Sequence, residues 1–119
     1  MELNVQAHGE TLIIAPAAGP MTLKAANDDD FRAAAQDAIG QACQVVLDMR
    51  LVESVDSSGL SALVALARDL YRRGGELRLA ELQRNVWAVF EVARLHRVFE
   101  IHDTPVDAVE SFNADVNWD

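Results

Sequence analysis

The stretch VVLDMRLVESVDSSGL, residues 45–60, contains the transition on which the predicted fold depends. Its first part, within residues 44–49, is a short apolar run typical of a strand in the interior of a sheet. Residues 50–55 are predicted to form a loop that leads to the sequence DSSG, residues 56–59, at the start of a helix. In open α/β sheets, the edge where strands end and helices begin is the usual place for ligands and partners to bind.

The segment that follows residue 59 has the clearest helical periodicity in the chain. Its apolar residues recur at spacings of three and four, so they are predicted to face the core, while charged residues face solvent. Gly74 and Gly75 follow it, as is typical of a helix C-terminus. The predicted inward positions are Leu60, Leu63, Val64, Ala67, Leu70 and Tyr71, and the predicted outward positions are Arg68, Asp69, Arg72 and Arg73.

The N-terminal residues 1–15 predict a β-hairpin. Leu3, Val5 and Ala7 alternate with polar residues, which indicates a half-buried strand, and Gly9 permits a tight turn into a second strand at 11–15. Residues 16–26 contain two prolines and a glycine and are predicted to be a loop. A helix capped by Asn27 or Asp28 is predicted next, and its apolar stripe is Phe31, Ala34, Ala35, Ala38, Ile39 and Ala42.

The C-terminal part of the chain continues the alternation of strands and helices. Residues 76–80 predict a strand, 84–94 a helix and 98–101 the last strand. The final helix is predicted to begin at Pro105 and to turn Val109, Phe112 and Val116 inward. Residues 113–119, which include Trp118, are predicted to be a tail that frays or docks.

The predicted order is β-β-α-β-α-β-α-β-α. It indicates a single α/β domain over residues 1–119, with a central mixed, mostly parallel sheet of about five strands and about four helices. The net charge of −9 argues against direct binding of nucleic acid or of anionic membranes. We also expect no signal peptide, no membrane insertion and a cytoplasmic location, and Cys43 is predicted to be a buried structural thiol.

Ser57 is the residue whose position indicates a chemical role most specifically. It lies at the start of a predicted helix, where backbone N–H groups lack partners and the helix dipole is positive. A phosphate on its hydroxyl would add a charge of about −1.5 to −2 beside those donors, with little effect on the fold and a large effect on a docked partner. The alternative is that DSSG is simply good capping chemistry and that Gly59 serves only close packing.

The same stretch resembles the signature of the STAS family, named for sulphate transporters and anti-sigma factor antagonists. The resemblance covers about residues 2–112, and the DSSG segment is its only specific motif. Downstream, residues 74–77 resemble the helix end and next strand of that family, and 86–101 resemble its third helix and last strand. The matching signature residues are Leu47, Asp48, Val52, Val55, Asp56, Ser57, Ser58, Gly59 and Leu60.

The resemblance implies a binding switch rather than an enzyme, with no cofactor and no metal. Ser57 would be phosphorylated by the partner, an anti-sigma factor that is also a serine kinase of the histidine-kinase-like ATPase type. The unphosphorylated chain would sequester that partner, phosphorylation would release it, and a serine phosphatase would reset the cycle. The implied contact residues are Asp56, Ser58, Gly59, Leu60, Ser61, Met21 and Thr22.

Two positions depart from the family pattern. Members often carry Gly-Glu-x-Asp after the second strand, whereas residues 19–22 here are Gly-Pro-Met-Thr, which leaves the identity of the partner open. The third helix of the family often ends in Gly-Leu, and here the pair is Arg94 and Leu95. We expect this second change to alter a helix end rather than the function.

Two other functions are compatible with the same sequence. The chain could be a constitutive STAS subunit of an ABC-type transporter or another signalling complex, without phosphorylation, or an enzyme with an unrecognised site on this face. No known catalytic or cofactor-binding motif in the sequence supports the hypothesis of an enzyme. Ser57 does not lie in G-x-S-x-G, there is no nucleotide-binding glycine motif, and His8, His96 and His102 lack the spacing of metal ligands.

Overall fold

A computed structural model describes residues 1–115 of the chain. The predicted hairpin is confirmed: β1 (Leu3–His8) and β2 (Thr11–Pro16) are antiparallel, and Gly9 makes the turn with φ +62°. The prediction that β1 is half buried is wrong for Val5, which is 49% exposed, and for Ala7. The reason is that β1 is the edge strand of the sheet and has little of the core beside it.

The five-stranded mixed sheet is also confirmed. Its order is β1-β2-β4-β6-β7, where β4 is Gln44–Asp48, β6 is Glu76–Ala80 and β7 is Ile101–His102. All neighbours after the first pair are parallel. The first residues of the stretch 45–60 therefore occupy β4, the central strand, and every residue from Val45 to Met49, just after its end, is buried.

A second, two-stranded parallel sheet was not predicted. It pairs β3 (Met21–Leu23) with β5 (Val52–Val55), two segments predicted to be parts of loops. Strands of three and four residues are too short to show a period, and Leu23, Val52 and Val55 are buried by tertiary packing in the larger core. This small sheet leads directly into the helix that begins at Ser57.

Within residues 1–115, four helices cover the main sheet, as predicted. α1 (Asp28–Ile39), α2 (Ser57–Arg72) and α3 (Arg84–Val92) enclose the larger core, and α4 (Pro105–Asp115) covers the opposite face of the sheet. Alternate strand residues supply the two cores, with Val45 and Leu47 in the larger one and Val46 in the smaller one. Of the residues predicted for the last helix and tail, Val116 and Trp118 lie outside the described part of the chain.

Three further predictions are wrong. The last strand is Ile101–His102 rather than 98–101, because a 3₁₀ turn at Leu95–Arg97 comes first and leaves Val98 67% exposed. Tyr71 is 79% exposed, because the buried stripe of α2 is centred on Leu63, Leu66 and Leu70. Cys43 is exposed rather than buried, because it precedes β4 at the end of the sheet.

Candidate functional site

The start of α2 is closed by Asp56, which has the extended backbone typical of a helix N-cap. Its Oδ1 accepts a hydrogen bond from the amide of Gly59 at 2.9 Å, and its carbonyl oxygen accepts one from the amide of Leu60 at 2.9 Å. The capping role foreseen for the DSSG segment is therefore present. The cap is compatible with a second role for the serines, because it uses only the carboxylate and carbonyl of Asp56.

Ser57 is the first residue of α2 and is exposed to solvent. Its side chain stands at the positive end of a helix of 16 residues. The Asp56 carboxylate accepts a hydrogen bond from the amide of Gly59. The other amides of the first turn can therefore donate to a further acceptor. The geometry thus supplies an accessible hydroxyl next to groups that can bind an anion, although the negative Asp56 opposes an added phosphate in part.

Leu23 connects the small sheet of β3 and β5 to the N-terminus of α2. The carbonyl oxygen of Leu23 accepts a hydrogen bond from the amide of Asp56 at 3.0 Å. Gly59 packs on the same residue so closely that an added Cβ would lie 2.5 Å from that oxygen. Gly59 is buried, so its role in the structure is to permit this approach, and it has no side chain to offer a partner.

Leu23 brings the two predicted contact residues on β3 to the same edge as Ser57. Met21 and Thr22 are partly buried, and the amide of Met21 donates to the carbonyl oxygen of Leu51 at 2.9 Å. On α2, Ser61 is exposed, while Ser58 and Leu60 are partly exposed. Apart from the buried Gly59, the residues implied by the resemblance can therefore contribute to one surface, whose binding role stays a prediction.

Sequence reasoning missed Ser54 and Asn85, two polar residues at this edge. The hydroxyls of Ser54 and Thr22 are 2.7 Å apart and join β5 to β3. On the other side of β5, the side-chain amide of Asn85 in α3 donates to the carbonyl oxygen of Glu53. The polar pair Glu53 and Ser54 between two valines was a weak signal of a short strand, but no sequence feature indicated the partners of either residue.

Charged residues of both signs lie in or next to β3, β4 and β5, the strands that precede Ser57 in the chain. Lys24 follows β3, while Glu53 and Asp56 flank the last residues of β5. Asp48 is buried at the end of β4 and accepts hydrogen bonds from the backbone amide of Arg50 at 3.0 Å and from its guanidinium at 2.6 Å. The hydrogen bond and the charge of Asp48 raise the pKa of Arg50. A phosphate on Ser57 would make this mixed surface predominantly negative.

Within residues 1–115, no group of three or more His, Cys, Asp or Glu side chains is placed to hold a metal ion. Nor does the described part of the chain contain a helix with the length and apolar character required to cross a membrane.

The family model of the STAS domain matches residues 2–108. Among curated proteins, the chain is 32% identical over 69 residues to BtrV of Bordetella bronchiseptica, a protein named as an anti-sigma factor antagonist. That match includes 58% of this chain and 60% of BtrV, so it spans less than two thirds of the relative.

Solved structures with the same fold come from antagonists and from a transporter. A Thermotoga maritima protein described as an anti-sigma factor antagonist superposes with a TM-score of 0.80 at 23% identity, over 92% of both chains. The unphosphorylated antagonist SpoIIAA gives 0.73 at 21% identity, over 98% of this chain and 100% of its own. The murine anion transporter Solute Carrier 26 family member A9 gives 0.75 at 21% identity, over 94% of this chain and 19% of its own. At these identities the likeness concerns the fold alone.

Proposed function

Because the chain belongs to the STAS domain family, we propose that it is an anti-sigma factor antagonist whose binding is switched by phosphorylation of Ser57. Unphosphorylated, it sequesters an anti-sigma factor that is also a serine kinase of the histidine-kinase-like ATPase type. Phosphorylation releases that partner, and a serine phosphatase restores the binding state. The proposal makes the protein a binding module rather than an enzyme and places it in the cytoplasm with its partners.

The observation that carries the proposal is the exposed hydroxyl of Ser57 at the capped N-terminus of α2. A side chain in this position can enter a kinase active site without unfolding of the domain. Once modified, it places a dianion where a partner must pack against Ser61, Leu60 and Thr22. A partner that buries this edge has to desolvate the phosphate or be repelled by it, so docking weakens while the fold persists.

The proposal is tested by recovering the partner and following the phosphate. The chain is used as bait in lysate of its native cells, the bound kinase is identified and purified, and phosphate transfer from labelled ATP is measured. Ser57→Ala should abolish incorporation and keep binding, and Ser57→Asp should weaken binding. Ser58→Ala is the matched control and should remain a substrate.

Two results would contradict the proposal: phosphate transferred to Ser58→Ala and Ser57→Ala alike, or partner binding that neither Ser57 variant changes. The occurrence of this fold in an anion transporter supports a second candidate, a constitutive STAS subunit of an ABC-type transporter. Co-purification with an ABC-type ATPase, together with no phosphate on Ser57 in mass spectrometry, would favour that function.

A further inference from the structure

A groove of about 1120 Å³ lies at the end of α2 farthest from Ser57. Within residues 1–115, β7 has two residues and pairs with Leu79 and Ala80 at the end of β6, so the first half of β6 has no strand on that side. Val98 and Phe99, rather than a strand, lie at the groove opposite the last turns of α2. We call this feature the α2 C-terminal groove; its exposed and partly buried wall comprises Val64, Ala67, Arg68, Tyr71, Arg72 and Val98.

The α2 C-terminal groove exposes apolar side chains that a folded chain normally covers. Tyr71 and Val98, on its two walls, are 79% and 67% exposed. Ala67 and Val64 continue the stripe of Tyr71 along α2, one and two turns earlier respectively. Exposed apolar side chains that adjoin one another in a concavity mark interaction sites more often than isolated ones do.

The charge at this groove is opposite to that of the chain. The net charge is −9, yet Arg68 and Arg72 are exposed on the rim, and no ion pair is recorded for either within residues 1–115. A third arginine, Arg78, is buried deeper and is held by Glu76 at 2.9 Å and Glu100 at 3.5 Å. Glu76, the one acidic residue in the described lining, is 48% exposed but is paired with Arg78, so the unpaired charges at the rim are those of Arg68 and Arg72 and are positive.

The base of the groove is preformed. The amide of Gly75 donates to the carbonyl oxygen of Leu70 at 2.8 Å. The amide of Glu76 donates to the carbonyl oxygen of Cys43, also at 2.8 Å. Gly75 approaches Cys43 so closely that a Cβ would lie 2.4 Å from the same oxygen. A ligand would enter a shape that is already fixed, so little of the binding free energy is lost to ordering.

We propose that the α2 C-terminal groove docks an acidic segment of a partner protein, with an aromatic or aliphatic anchor between Tyr71 and Val98 and carboxylates on Arg68 and Arg72. A concave site of this volume suits a peptide better than a flat lipid surface. Along α2, the guanidinium-bearing residues Arg68 and Arg72 lie about 16 Å and about 22 Å from Ser57, or two or more screening lengths of about 8 Å at physiological salt. Docking is therefore independent of the charge on Ser57, and the chain can hold two partners at once.

The test selects 12-residue peptides from a random phage library on the full chain, immobilised through its N-terminus. Selected peptides should be rich in Asp and Glu and contain Trp, Phe or Leu. Their synthetic forms should bind with a Kd that rises about tenfold in the double variant Arg68→Gln/Arg72→Gln and by a similar factor in Val98→Asp. Arg84→Gln, an exposed arginine on α3, is the matched control and should bind like wild type, as should Ser57→Asp.

Backbone amide shifts on peptide addition should change in residues 64–78 and 98–99 and stay unchanged in 54–61. The proposal is overturned if the library yields no acidic peptides, if the arginine double variant binds them equally, or if the shifts map to 54–61. It is also overturned if peptides bind only a chain cut after residue 115, which would make residues 116–119 the occupant. Sedimentation that shows a dimer lost in the double variant would make a second copy the occupant and would equally overturn it.

Discussion

Gly59 performs two tasks at the start of α2. Its amide donates to the capping carboxylate of Asp56, and its Cα faces the carbonyl oxygen of Leu23 on β3. A side chain at this position would push the helix start away from the small sheet. Gly59 therefore fixes the position of the exposed Ser57 relative to Thr22, although Gly59 itself is buried and does not contribute to the surface around Ser57.

Replacing Gly59 with alanine should destabilise the fold by about 1–3 kcal/mol, because its Cβ would lie 2.5 Å from backbone that cannot move freely. Chemical denaturation measures the change. Ser58→Ala is the neighbouring control and should shift stability by less than about 0.5 kcal/mol. A Gly59→Ala chain as stable as wild type would show that this close contact is not required.

Asp56 can be tested as a cap separately from its charge. Asp56→Ala should cost about 1 kcal/mol of unfolding free energy, since the amide of Gly59 loses its acceptor. Asp56→Asn keeps an acceptor and should restore most of that loss. Equal stability of the alanine and asparagine variants in the same denaturation experiment would exclude the capping role.

Among the elements, the end of α3 carries local backbone strain. Arg94 has φ +61°, a left-handed conformation that residues with a Cβ disfavour and that glycine adopts readily. Arg94→Gly should therefore stabilise the chain by about 0.5–1 kcal/mol and raise Tm by about 2–4 °C. Arg97→Gly, three residues later, should lower Tm, and a decrease in Arg94→Gly as well would contradict this account.

The elements that could be predicted were those with a recognisable apolar pattern. The hairpin and the helices showed a period in the sequence, the central strand showed a short continuous apolar run, and the structure confirms them. β3 and β5 were missed because three or four residues carry no period and are stabilised by pairing with each other. Tyr71 was misplaced because it continues the apolar stripe of α2 beyond the core, into a groove that no described residue covers.

In the candidate site too, features set by local sequence could be predicted and features set by tertiary packing could not. The position of Ser57 at a helix start followed from local capping chemistry, which the sequence displays. The proximity of Met21 and Thr22 to α2 came only from the resemblance, since local sequence does not indicate which loop packs on a helix. The hydrogen bond between Thr22 and Ser54 could not be foreseen, because it depends on the register of two unpredicted strands.

At the scale of the whole molecule, α2 connects two surfaces of different character. Its N-terminus presents Ser57 near strands that carry charges of both signs, and its last turns present Arg68, Arg72 and Tyr71 beside Val98. Leu63, Leu66 and Leu70 pack α2 into the core. Because the helix is held rigidly along its length, we expect a charge added at its N-terminus to leave the conformation of its C-terminal surface unchanged. We therefore expect the proposed switch to act on docking at one end of the molecule.

The most direct measurement of that switch is calorimetric titration of the cognate anti-sigma factor into the unmodified chain and into the chain carrying phosphoserine at position 57. We predict that the phosphate raises Kd by about 30-fold or more, equivalent to about 2 kcal/mol for an uncompensated charge at the interface. The Tm of the two forms should agree within about 2 °C, since the modified side chain lies outside the core. Equal Kd values for the two forms, or a phosphorylated chain that no longer folds, would contradict the account.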